Sequence, residues 1–466
     1  MKTTSQPQQK QNTLTLSFCG GASGPTGSNF LIESEDYNFL IDCGLFQGKD
    51  ISTQKNDEPF SYQPSKIDAL FVTHAHLDHI GRIPKLVQEG FCGAIYSTPP
   101  TKDIAELIFM DSMNVLSQQA RRKNEKPPYT EKDVQKIIKL WQTCAYREPV
   151  KINNNLSIIF RDAGHILGSA MIEITYNNHK LLFTGDLGNT PAPLLHNTEK
   201  INDAKYIVME SVYGDRNHED KNIRRALLRQ IILETARKKG VLLIPVFSIE
   251  RTQEMLFEFN HMVEKKEIPL IPIFLDSPLA IKVTEIYKRY EDYYNDNTRD
   301  IIKSGDDIFK FSMLRFISRH NDSLAIAHID SPKVIMAGSG MSNGGRIVRH
   351  EKEYLSGPNN TLLLVGFQVA GTLGREIQEG AKKVLIDGEK IIIRARIETI
   401  HGYSAHKDSD NLLDFIEQAN EDGKINKVFV ALGEPRSSCF LTQKIRDYLD
   451  IDAQVAQPDE KVELLF

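Results

Sequence analysis

The stretch THAHLDHIG (73–81) places three histidines and one aspartate in nine residues. It follows the apolar run ALFVTH (69–74), which has the length and composition of a buried strand. Gly81 is expected to open a helix, so the cluster is predicted to lie on a loop that joins a strand to a helix. Loops of this kind project side chains into a site while the flanking elements hold them in place.

The spacing within this stretch predicts two metal positions. His74 and His76 can face one ion, while Asp78 and His79 turn toward another. This arrangement differs from the His-Glu-x-x-His helix of metalloproteases, in which both histidines bind a single zinc. A polar turn with unrelated histidines is the alternative, but four ligand-type side chains at one strand end favour the metal site.

Two other strand ends supply the residue types that a dinuclear site still needs. The segment AGHILGSA (163–170) places His165 on a turn flanked by glycines, and FTGDLG (183–188) places Asp186 at the end of an apolar strand. A carboxylate has two oxygens and can bridge two ions. Each residue alone would more often be an ordinary turn residue, but together with the histidine cluster they complete a ligand set.

Composition limits the class of protein. The chain has 466 residues, of which 40% are hydrophobic, so it is long enough for two or more domains. Its formal net charge is −5, and a nucleic-acid partner would therefore have to be attracted locally. The five cysteines are odd in number and form no Cys-x-x-Cys pair, which favours a reduced cytoplasm over a disulfide scaffold.

The termini and the element pattern lead to further expectations. Residues 1–12 are polar and glutamine-rich, without the apolar core of a signal peptide, and are predicted to be a disordered tail. No apolar run reaches about 18 residues, so no membrane span is expected. Strand-like runs dominate up to residue 186, apart from a helical stretch at about 101–145. From about 211, strands alternate with helices, which is typical of a parallel, doubly wound sheet.

The motifs, taken in order, resemble those of a known family. The metallo-β-lactamase fold has motifs similar to GASGPTGSNFLI (21–32), FLIDCGLFQG (39–48), THAHLDHIGRIP (73–84), AGHILGSA and FTGDLG. Its β-CASP branch, the nucleases related to the pre-mRNA 3′-end endonuclease and its archaeal and bacterial homologues, has motifs similar to ESVYGDR (210–216), PVFSIERTQEML (245–256), FLDSPLA (274–280), GSGMSNGGRIVRH (338–350), GFQVAGTLGREIQEG (366–380) and IHGYSAHKD (400–408).

This resemblance implies an α/β protein with two domains and a cleft between them. A four-layered αββα metallo-β-lactamase domain would begin at residue 13, be interrupted after Glu210, and return at residue 399. The inserted β-CASP domain would be an α/β domain with a parallel sheet flanked by helices. The implied boundaries are 13–210 and 399–466 for the first domain and 211–398 for the β-CASP domain.

The resemblance also assigns metal ligands. The first zinc ion would be held by His74, His76, His165 and Asp186. The second would be held by Asp78, His79 and the shared Asp186. Asp42, in the motif LIDCG, would orient ligands or bound water. Without the resemblance, Asp42 would be a polar residue that ends a strand.

The family's acid pair corresponds to Glu210 and His406. A histidine beside a carboxylate has its cationic form favoured, so it can protonate a departing alkoxide at neutral pH. The implied activity is a zinc-dependent endo- or exoribonuclease that processes or degrades RNA. In the implied mechanism a metal-bound hydroxide attacks phosphorus and His406 acts as general acid.

One position departs from the pattern. RNA-cleaving members carry His-Gly-Glu after the last strand, whereas here Leu432 precedes Gly433 and Glu434. Leucine cannot coordinate zinc, so one zinc ion is expected and the occupancy of the second is uncertain. His401 and Cys439 are nearby in sequence and could compensate.

The departure leaves alternative functions open. Members that act on DNA also lack this histidine, so a DNA nuclease is one alternative, and a binding scaffold without activity is another. Single-stranded RNA is favoured because the other motifs resemble the RNA branch, and a homodimer is left open. A diiron oxidoreductase of related fold is disfavoured because His76 stands where that branch has glutamate.

Weaker signals concern substrate contacts. The glycines of GSGMSNGGR (338–346) could present backbone N–H groups to phosphate, although an ordinary strand-to-helix turn explains them equally well. Basic residues of several motifs could line the cleft or form solvated helix faces; they are Arg216, Arg251, Arg346, Arg349 and His350.

Overall fold

The computed structural model describes residues 13–22, 24–48, 52–220 and 223–466. The tail predicted for residues 1–12 lies outside these described residues. Within them, no helix combines the length and apolarity needed to cross a membrane.

The first sheet is built mainly from the N-terminal part of the chain. Its strands are β1 (Thr13–Gly20), β2 (Asn29–Glu33), β3 (Asn38–Ile41), β4 (Ala69–Phe71), β5 (Ala94–Ser97) and β6 (Trp141–Thr143). The helices of this region are α1 (Ser52–Asp57), α2 (Leu77–Ile80), α3 (Ile83–Gln88), α4 (Pro99–Lys123) and α5 (Glu131–Leu140). The helical stretch predicted at about 101–145 is confirmed as α4 and α5, which the Pro127–Pro128 segment separates.

The second sheet follows in the chain. Its strands are β7 (Pro149–Lys151), β8 (Leu156–Asp162), β9 (Ala170–Tyr176), β10 (His179–Phe183) and β11 (Ala204–Met209). Apolar rings from the two sheets meet in one core: Phe18 contacts Phe429 at 5.7 Å between ring centroids, and Phe30 contacts Phe183 at 5.4 Å. Alternate residues of each strand enter this core, as the two-residue period of a strand requires.

The third sheet takes its strands from the middle of the chain. They are β12 (Val241–Pro245), β13 (Ile273–Asp276), β14 (Leu314–Phe316), β15 (Lys333–Ala337), β16 (Thr361–Leu364) and β19 (Arg396–Thr399). Between β16 and β19 in the chain, β17 (Lys383–Ile386) and β18 (Glu389–Ile392) form a separate hairpin. The surrounding helices are α6 (Arg224–Arg237), α7 (Arg251–Glu264), α8 (Pro278–Arg289), α9 (Asp296–Lys303), α10 (His320–Ala325), α11 (Gly345–Tyr354) and α12 (Leu373–Gln378).

All strand pairs of the third sheet, in the order β14-β13-β15-β12-β16-β19, are parallel. Residues of both faces of β12 are buried: Leu242 and Ile244 in one apolar cluster, Val241 and Leu243 in another. Burial on both faces is typical of a parallel sheet covered by helices. This confirms the predicted parallel sheet.

The C-terminal segment completes the first two sheets. Its elements are α13 (Ser409–Ala419), β20 (Lys427–Val430), α14 (Pro435–Leu449), β21 (Ala453–Val455) and β22 (Lys461–Leu465). β20 pairs with β11, and β22 pairs with β1. Residues of α13 and α14 share an apolar cluster with the outer face of the second sheet, and residues of α3 to α5 pack on the outer face of the first. The four-layered αββα arrangement is confirmed, while the exact boundaries at 211 and 399 stay predictions.

The expectation that Gly81 opens a helix is wrong. The backbone N–H groups of His79 and Ile80 already donate to the carbonyl of His76, so the helical turn of α2 begins within the histidine cluster, and Gly81 follows its end. A side chain at Gly81 would collide with Leu45, since a Cβ there would lie 2.4 Å from Leu45 Cδ1. Close packing, and not helix initiation, explains the glycine.

Candidate active site

The ligand-type residues come from turns at the ends of strands in both stacked sheets. His74 and His76 follow β4, while His165 lies between β8 and β9. Asp186 follows β10, and Glu210 comes directly after β11. Because these strand ends lie at one edge of the sandwich, residues far apart in sequence meet there.

Four of the predicted ligands surround one point. His74 Nε2 lies 3.1 Å from His76 Nδ1 and 3.4 Å from Asp186 Oδ2. His165 Nε2 lies 3.3 Å from His76 Nδ1 and 3.5 Å from Asp186 Oδ2. All four side chains contribute ligand atoms that lie within 4.8 Å of one another. We refer to His74, His76, His165 and Asp186 as the first ligand set.

The spacing and charge of the first ligand set fit a cation with tetrahedral coordination. Zinc–nitrogen bonds of about 2.0–2.1 Å in a tetrahedron place the ligand atoms about 3.3–3.4 Å apart, which matches the distances between these side chains. Burial, and then the neighbouring histidines, lower the pKa of His74 and hold the pKa of His76 well below its usual range. Burial and then His406 do the same for the pKa of His165. The rings are therefore neutral, as metal ligands must be.

His79 belongs to a second, less complete arrangement. Its Nδ1 donates to Asp42 Oδ2 at 2.7 Å, which leaves Nε2 without a hydrogen-bond partner and 3.4 Å from Asp186 Oδ1. A buried ring nitrogen without a partner, beside a carboxylate oxygen, fits a position for a cation. Burial lowers the pKa of His79, but Asp186 and Asp42 outweigh burial and raise it well above the usual value. The negative charge that holds this proton would equally attract a metal ion.

Asp42 is placed to orient His79. Thr73 donates to the Asp42 carboxylate through its backbone N–H at 2.8 Å and through its hydroxyl, and Ser28 Oγ donates to it at 3.0 Å. Asp42 is fully buried, so its carboxylate is held in one orientation by these donors. Gly44 lets the helix α2 approach, since a Cβ there would lie 1.6 Å from the Asp78 carbonyl oxygen.

Asp78 and His79 do not complete a set as tight as the first. Among the described residues, sets of three or more ligand-type side chains within 4.8 Å comprise the first ligand set and the set Asp186, Glu210 and His406. Burial raises the pKa of Asp78, which faces the same cavity as the first ligand set. We refer to Asp78, His79 and the shared Asp186 as the second ligand set.

Leu432 packs as an apolar residue and supplies no ligand. Its backbone N–H donates to the Gly21 carbonyl at 2.7 Å, and its side chain is 3% exposed. A Cβ added at Gly21 would lie 2.6 Å from Leu432 Cδ2, so the leucine fills the space beside this glycine. Neither His401 nor the exposed Cys439 belongs to a metal-capable set among the described residues. Compensation by these two residues has no support in the structure.

His406 and Glu210 form a hydrogen-bonded pair beside the first ligand set. His406 Nδ1 lies 3.2 Å from both carboxylate oxygens of Glu210 and 4.0 Å from Asp186 Oδ2. Glu210 is fixed by the backbone N–H of Leu187, at 2.5 Å from Oε1. Burial lowers the pKa of His406, but Glu210 and Asp186 outweigh it and raise the pKa to about 9. The ring is therefore protonated at neutral pH.

Several of the predicted site residues line one cavity of about 280 Å³ between the sandwich and the third sheet. Its walls include His76, Asp78, His165, Asp186 and His406 on one side. The other side is formed by loops at the ends of β12, β15 and β16. This location agrees with the cleft that the family resemblance implies.

The basic residues predicted from the weaker motifs lie in three different places. Arg251 is 3% exposed and lines the cavity. Arg346 Nη1 and His350 Nε2 each lie 2.7 Å from an oxygen of Asp276, on β13, so these two residues fix α11 to the third sheet. Arg216 lies beside Tyr213 and lines a neighbouring cavity. Of the five, only Arg251 lines the cavity that holds the first ligand set.

The glycine-rich segment 338–346 reaches the cavity, but several of its backbone N–H groups are already used. Ser339 donates to the Gly344 carbonyl, Ser342 donates to the Ser339 carbonyl, and Ile347 donates to Gly338. These internal bonds favour the interpretation as a strand-to-helix turn. Ser339 and Gly340 still line the cavity wall.

Glu250 lines the same cavity and was not singled out from the sequence. It stands in the quoted motif PVFSIERTQEML, next to Arg251, and is 2% exposed. Burial raises the pKa of its carboxyl group to about 7. The sequence shows only an acidic residue in a turn between a strand and a helix. The burial of Glu250, which sets it apart, cannot be predicted from the motif.

Sequence patterns of three families cover most of this architecture. Residues 24–139 match the metallo-β-lactamase superfamily, residues 252–377 match the Beta-Casp domain, and residues 390–456 match the Zn-dependent metallo-hydrolase RNA specificity domain. The chain belongs to the β-CASP branch of the metallo-β-lactamase superfamily.

Individual relatives extend this similarity over nearly the whole chain. A ribonuclease of Thermus thermophilus is 35% identical over 401 residues, which cover 85% of this chain and 89% of that protein. The transcription termination factor FttA of Methanosarcina mazei is 30% identical and covers 98% of this chain and 72% of its own length. An RNase J-like protein of Methanocaldococcus jannaschii is 31% identical, with 94% and 96% covered.

A solved structure agrees on the fold alone. The crystal structure of a protein of unknown function from Enterococcus faecalis superposes with a TM-score of 0.55 at 12% identity. The match covers 97% of this chain and 100% of that chain.

Proposed function

We propose that this protein is a zinc-dependent nuclease that hydrolyses phosphodiester bonds of single-stranded RNA, in RNA processing or degradation. The observation that carries the proposal is the position of the His406–Glu210 pair, whose imidazole shares one cavity with the first ligand set. A cation site and a proton donor side by side are what phosphodiester hydrolysis requires. The names of two relatives, a ribonuclease and an RNase J-like protein, support the substrate class.

The first ligand set would hold one zinc ion, and the second ligand set would hold another less firmly. Zinc at these positions would neutralise phosphate charge and lower the pKa of a water molecule. Asp186 has one oxygen toward each set, Oδ2 toward His74 and Oδ1 toward His79. Asp42 keeps the His79 ring oriented, with Nε2 toward Asp186.

His406 is assigned as the general acid. Because Nδ1 is hydrogen-bonded to Glu210, the proton available for transfer is the one on Nε2. The departing oxygen of the cleaved ester takes this proton and leaves as a neutral hydroxyl. Glu210 holds the ring in place and favours the imidazolium, and its own position is set by the backbone of Leu187.

RNA is preferred over DNA although Leu432 stands where RNA-cleaving members have histidine. The segment that matches the RNA specificity domain, 390–456, includes this position. A DNA nuclease remains the second candidate because of the leucine. The two candidate functions, RNA cleavage and DNA cleavage, make opposite predictions for a matched pair of RNA and DNA strands.

The test is a cleavage assay with zinc-loaded protein on single strands of matched RNA and DNA sequence, labelled at the 5′ or the 3′ end. We expect RNA to be cut and the DNA strand to be cut much more slowly. His406→Ala should lower the rate about 10²- to 10⁴-fold, as loss of a general acid does. His328→Ala is the matched control, because His328 is exposed and lies outside the cavity.

Faster cutting of DNA than of RNA would assign the second candidate. Equal low activity of wild type and His406→Ala on every strand would favour a binding scaffold without catalysis. Measurement of the mass in solution tests the homodimer, which stays a prediction.

A further inference from the structure

A second cavity lies next to the cavity that the first ligand set faces. Its volume is about 260 Å³, close to the 280 Å³ of the first, and Gly366 and Phe367 line both cavities. These two residues follow β16, in the segment that leads to α12. This segment passes close to Phe247, since a Cβ at Gly366 would lie 2.9 Å from Phe247 Cε2. We refer to the second cavity as the side cavity.

Phe367 presents an aromatic ring where the two cavities adjoin. The residue is half-buried, whereas Val365 before it is 1% exposed. Its ring contacts that of Tyr213 edge to face, with 5.4 Å between the centroids and 75° between the planes. Tyr213 is 2% exposed and supports the Phe367 ring from within the protein. The exposed part of the Phe367 ring is therefore available to a ligand.

Arg216 brings a positive charge to the side cavity. Its guanidinium lies over the Tyr213 ring, 5.3 Å from the centroid, and its side chain is 43% exposed. Its Nε lies 3.5 Å from Asp215 Oδ1, which is longer than an ordinary hydrogen bond. Among the described residues, neither Nη nitrogen of Arg216 has a hydrogen-bond partner. These exposed N–H groups can donate to an anion.

The rest of the wall offers polar groups and no second free cation. Arg375 Nε lies 2.6 Å from Glu379 Oε1, and Arg375 Nη1 lies 3.4 Å from Glu434 Oε1, so its charge is compensated. Gln378 and His401 add an amide and an imidazole to the lining. An exposed aromatic ring, one available guanidinium and several polar groups suit a nucleobase attached to a phosphate. Proteins bind the bases of single strands by stacking and through hydrogen bonds to the base edges.

We propose that the side cavity binds the base of a nucleotide that flanks the cleaved phosphodiester, packed against the Phe367 ring, and that Arg216 contacts a phosphate of the same strand. This inference rests on the proposed function and deepens it, because it adds a substrate contact outside the cavity of the first ligand set. Gly366 and Phe367 line both cavities, so one strand can occupy the two at once. A single strand suits this arrangement because its bases are free to turn outward.

A purely structural role of Phe367 would have a different signature. The Tyr213 ring that Phe367 contacts lies 6.3 Å from the His406 ring, measured between centroids. Loss of packing at Phe367 would disturb His406 through Tyr213 and slow the cleavage of every substrate alike. Loss of a base contact slows cleavage only where the substrate carries that base.

The first experiment removes the ring and the base in turn. Zinc-loaded wild type, Phe367→Leu and Phe367→Tyr cleave one RNA and a series of strands of the same sequence, each with one abasic nucleotide. In wild type, one abasic position beside the cleavage site should lower kcat/KM about tenfold, as loss of a contact between a base and an aromatic ring does. In Phe367→Leu the penalty at this position should fall to about twofold or less, whereas Phe367→Tyr keeps the ring and therefore the penalty. Phe440→Leu is the matched control, because Phe440 is 52% exposed and lines neither cavity.

The second experiment tests the phosphate contact without cleavage. RNA affinity is measured at several salt concentrations with zinc-loaded His406→Ala protein, with and without Arg216→Gln. Loss of one phosphate contact should reduce the slope of log affinity against log salt concentration by about 0.7. Arg436→Gln is the matched control: Arg436 Nε lies 3.4 Å from the same Asp215, but its side chain is 89% exposed and lines neither cavity.

Equal abasic penalties in wild type and Phe367→Leu at every position would overturn the base contact while the proposed function stands. An unchanged salt slope in Arg216→Gln would overturn the phosphate contact. If wild type cleaves no RNA, the proposed function fails, and the salt slopes still decide whether RNA contacts the side cavity.

Discussion

The first and second ligand sets share Asp186 but differ in completeness. The first has three neutral histidines from two turns, with ligand atoms 3.1–3.5 Å from their neighbours. The second has Asp78 and His79 from one short helix, and Leu432, which stands where RNA-cleaving members have histidine, packs against Gly21 and supplies no ligand. Two ligand sets can therefore share one carboxylate and still differ greatly in the number of ligands that they offer.

The difference shows which half of the histidine motif finds its remaining ligands elsewhere in the chain. The stretch THAHLDHIG contains residues of both sets, yet each set depends on residues elsewhere in the chain. His165 and Asp186 complete the first set, whereas nothing among the described residues replaces the missing ligand of the second. His79 Nε2 has no hydrogen-bond partner, so one nitrogen at the proposed second position is available to a cation.

Removal of a first-set ligand should have the largest effect. His165→Ala should lower kcat/KM roughly 10³-fold or more and remove tightly bound zinc, because a Lewis acid contributes several kcal/mol to phosphoester hydrolysis. The readouts are zinc content per chain and cleavage of labelled RNA, with His328→Ala as control. A His165→Ala protein that keeps its tight zinc would contradict the assignment of the first ligand set.

His406→Ala should separate catalysis from metal binding. The loss of rate, about 10²- to 10⁴-fold, should occur with unchanged zinc content, because His406 pairs with Glu210 and completes neither ligand set. Loss of zinc in this variant would mean that His406 is a ligand and not the acid.

Asp42→Asn should affect the second set more than the first. The amide is a weaker acceptor for the His79 Nδ1–H group, so His79 loses its fixed orientation, and affinity for the weaker zinc should fall about 10- to 100-fold. Affinity for the tighter zinc should change much less. A chelator competition assay measures both, and equal losses at the two positions would show that the carboxylate supports the whole centre.

Leu432→His should make the two positions more alike. The added imidazole should raise the affinity for the more weakly bound zinc ion by about tenfold. This is comparable to the effect of one residue that orients a metal ligand. Leu432→Asn is the matched control, because asparagine tolerates the positive φ of 49° at this position but is a poor zinc ligand. If both variants bind zinc as wild type does, the leucine is not what weakens the second position.

The sequence predicts the fold and the clustering of the first ligand set well, and the packing around them poorly. The first ligand set could be predicted because His165 and Asp186 follow recognisable apolar strands and match family motifs. The start of α2 could not be predicted, since Gly81 is explained by its contact with Leu45. The contacts of α11 with Asp276 join residues about 70 positions apart, which no local pattern indicates.

Glu250 shows the same limit at the site itself. Its motif could be recognised, but the positive φ, the unpartnered oxygen and the contact with Tyr287 follow from tertiary structure alone.

Zinc titration of metal-free wild type tests the central claim, the inequality of the two positions, most directly. Competition with a chelator of known affinity gives the dissociation constant of each ion. The structure predicts one tight zinc per chain and a second that binds at least about tenfold more weakly. Two zinc ions bound with equal affinity would contradict the claim.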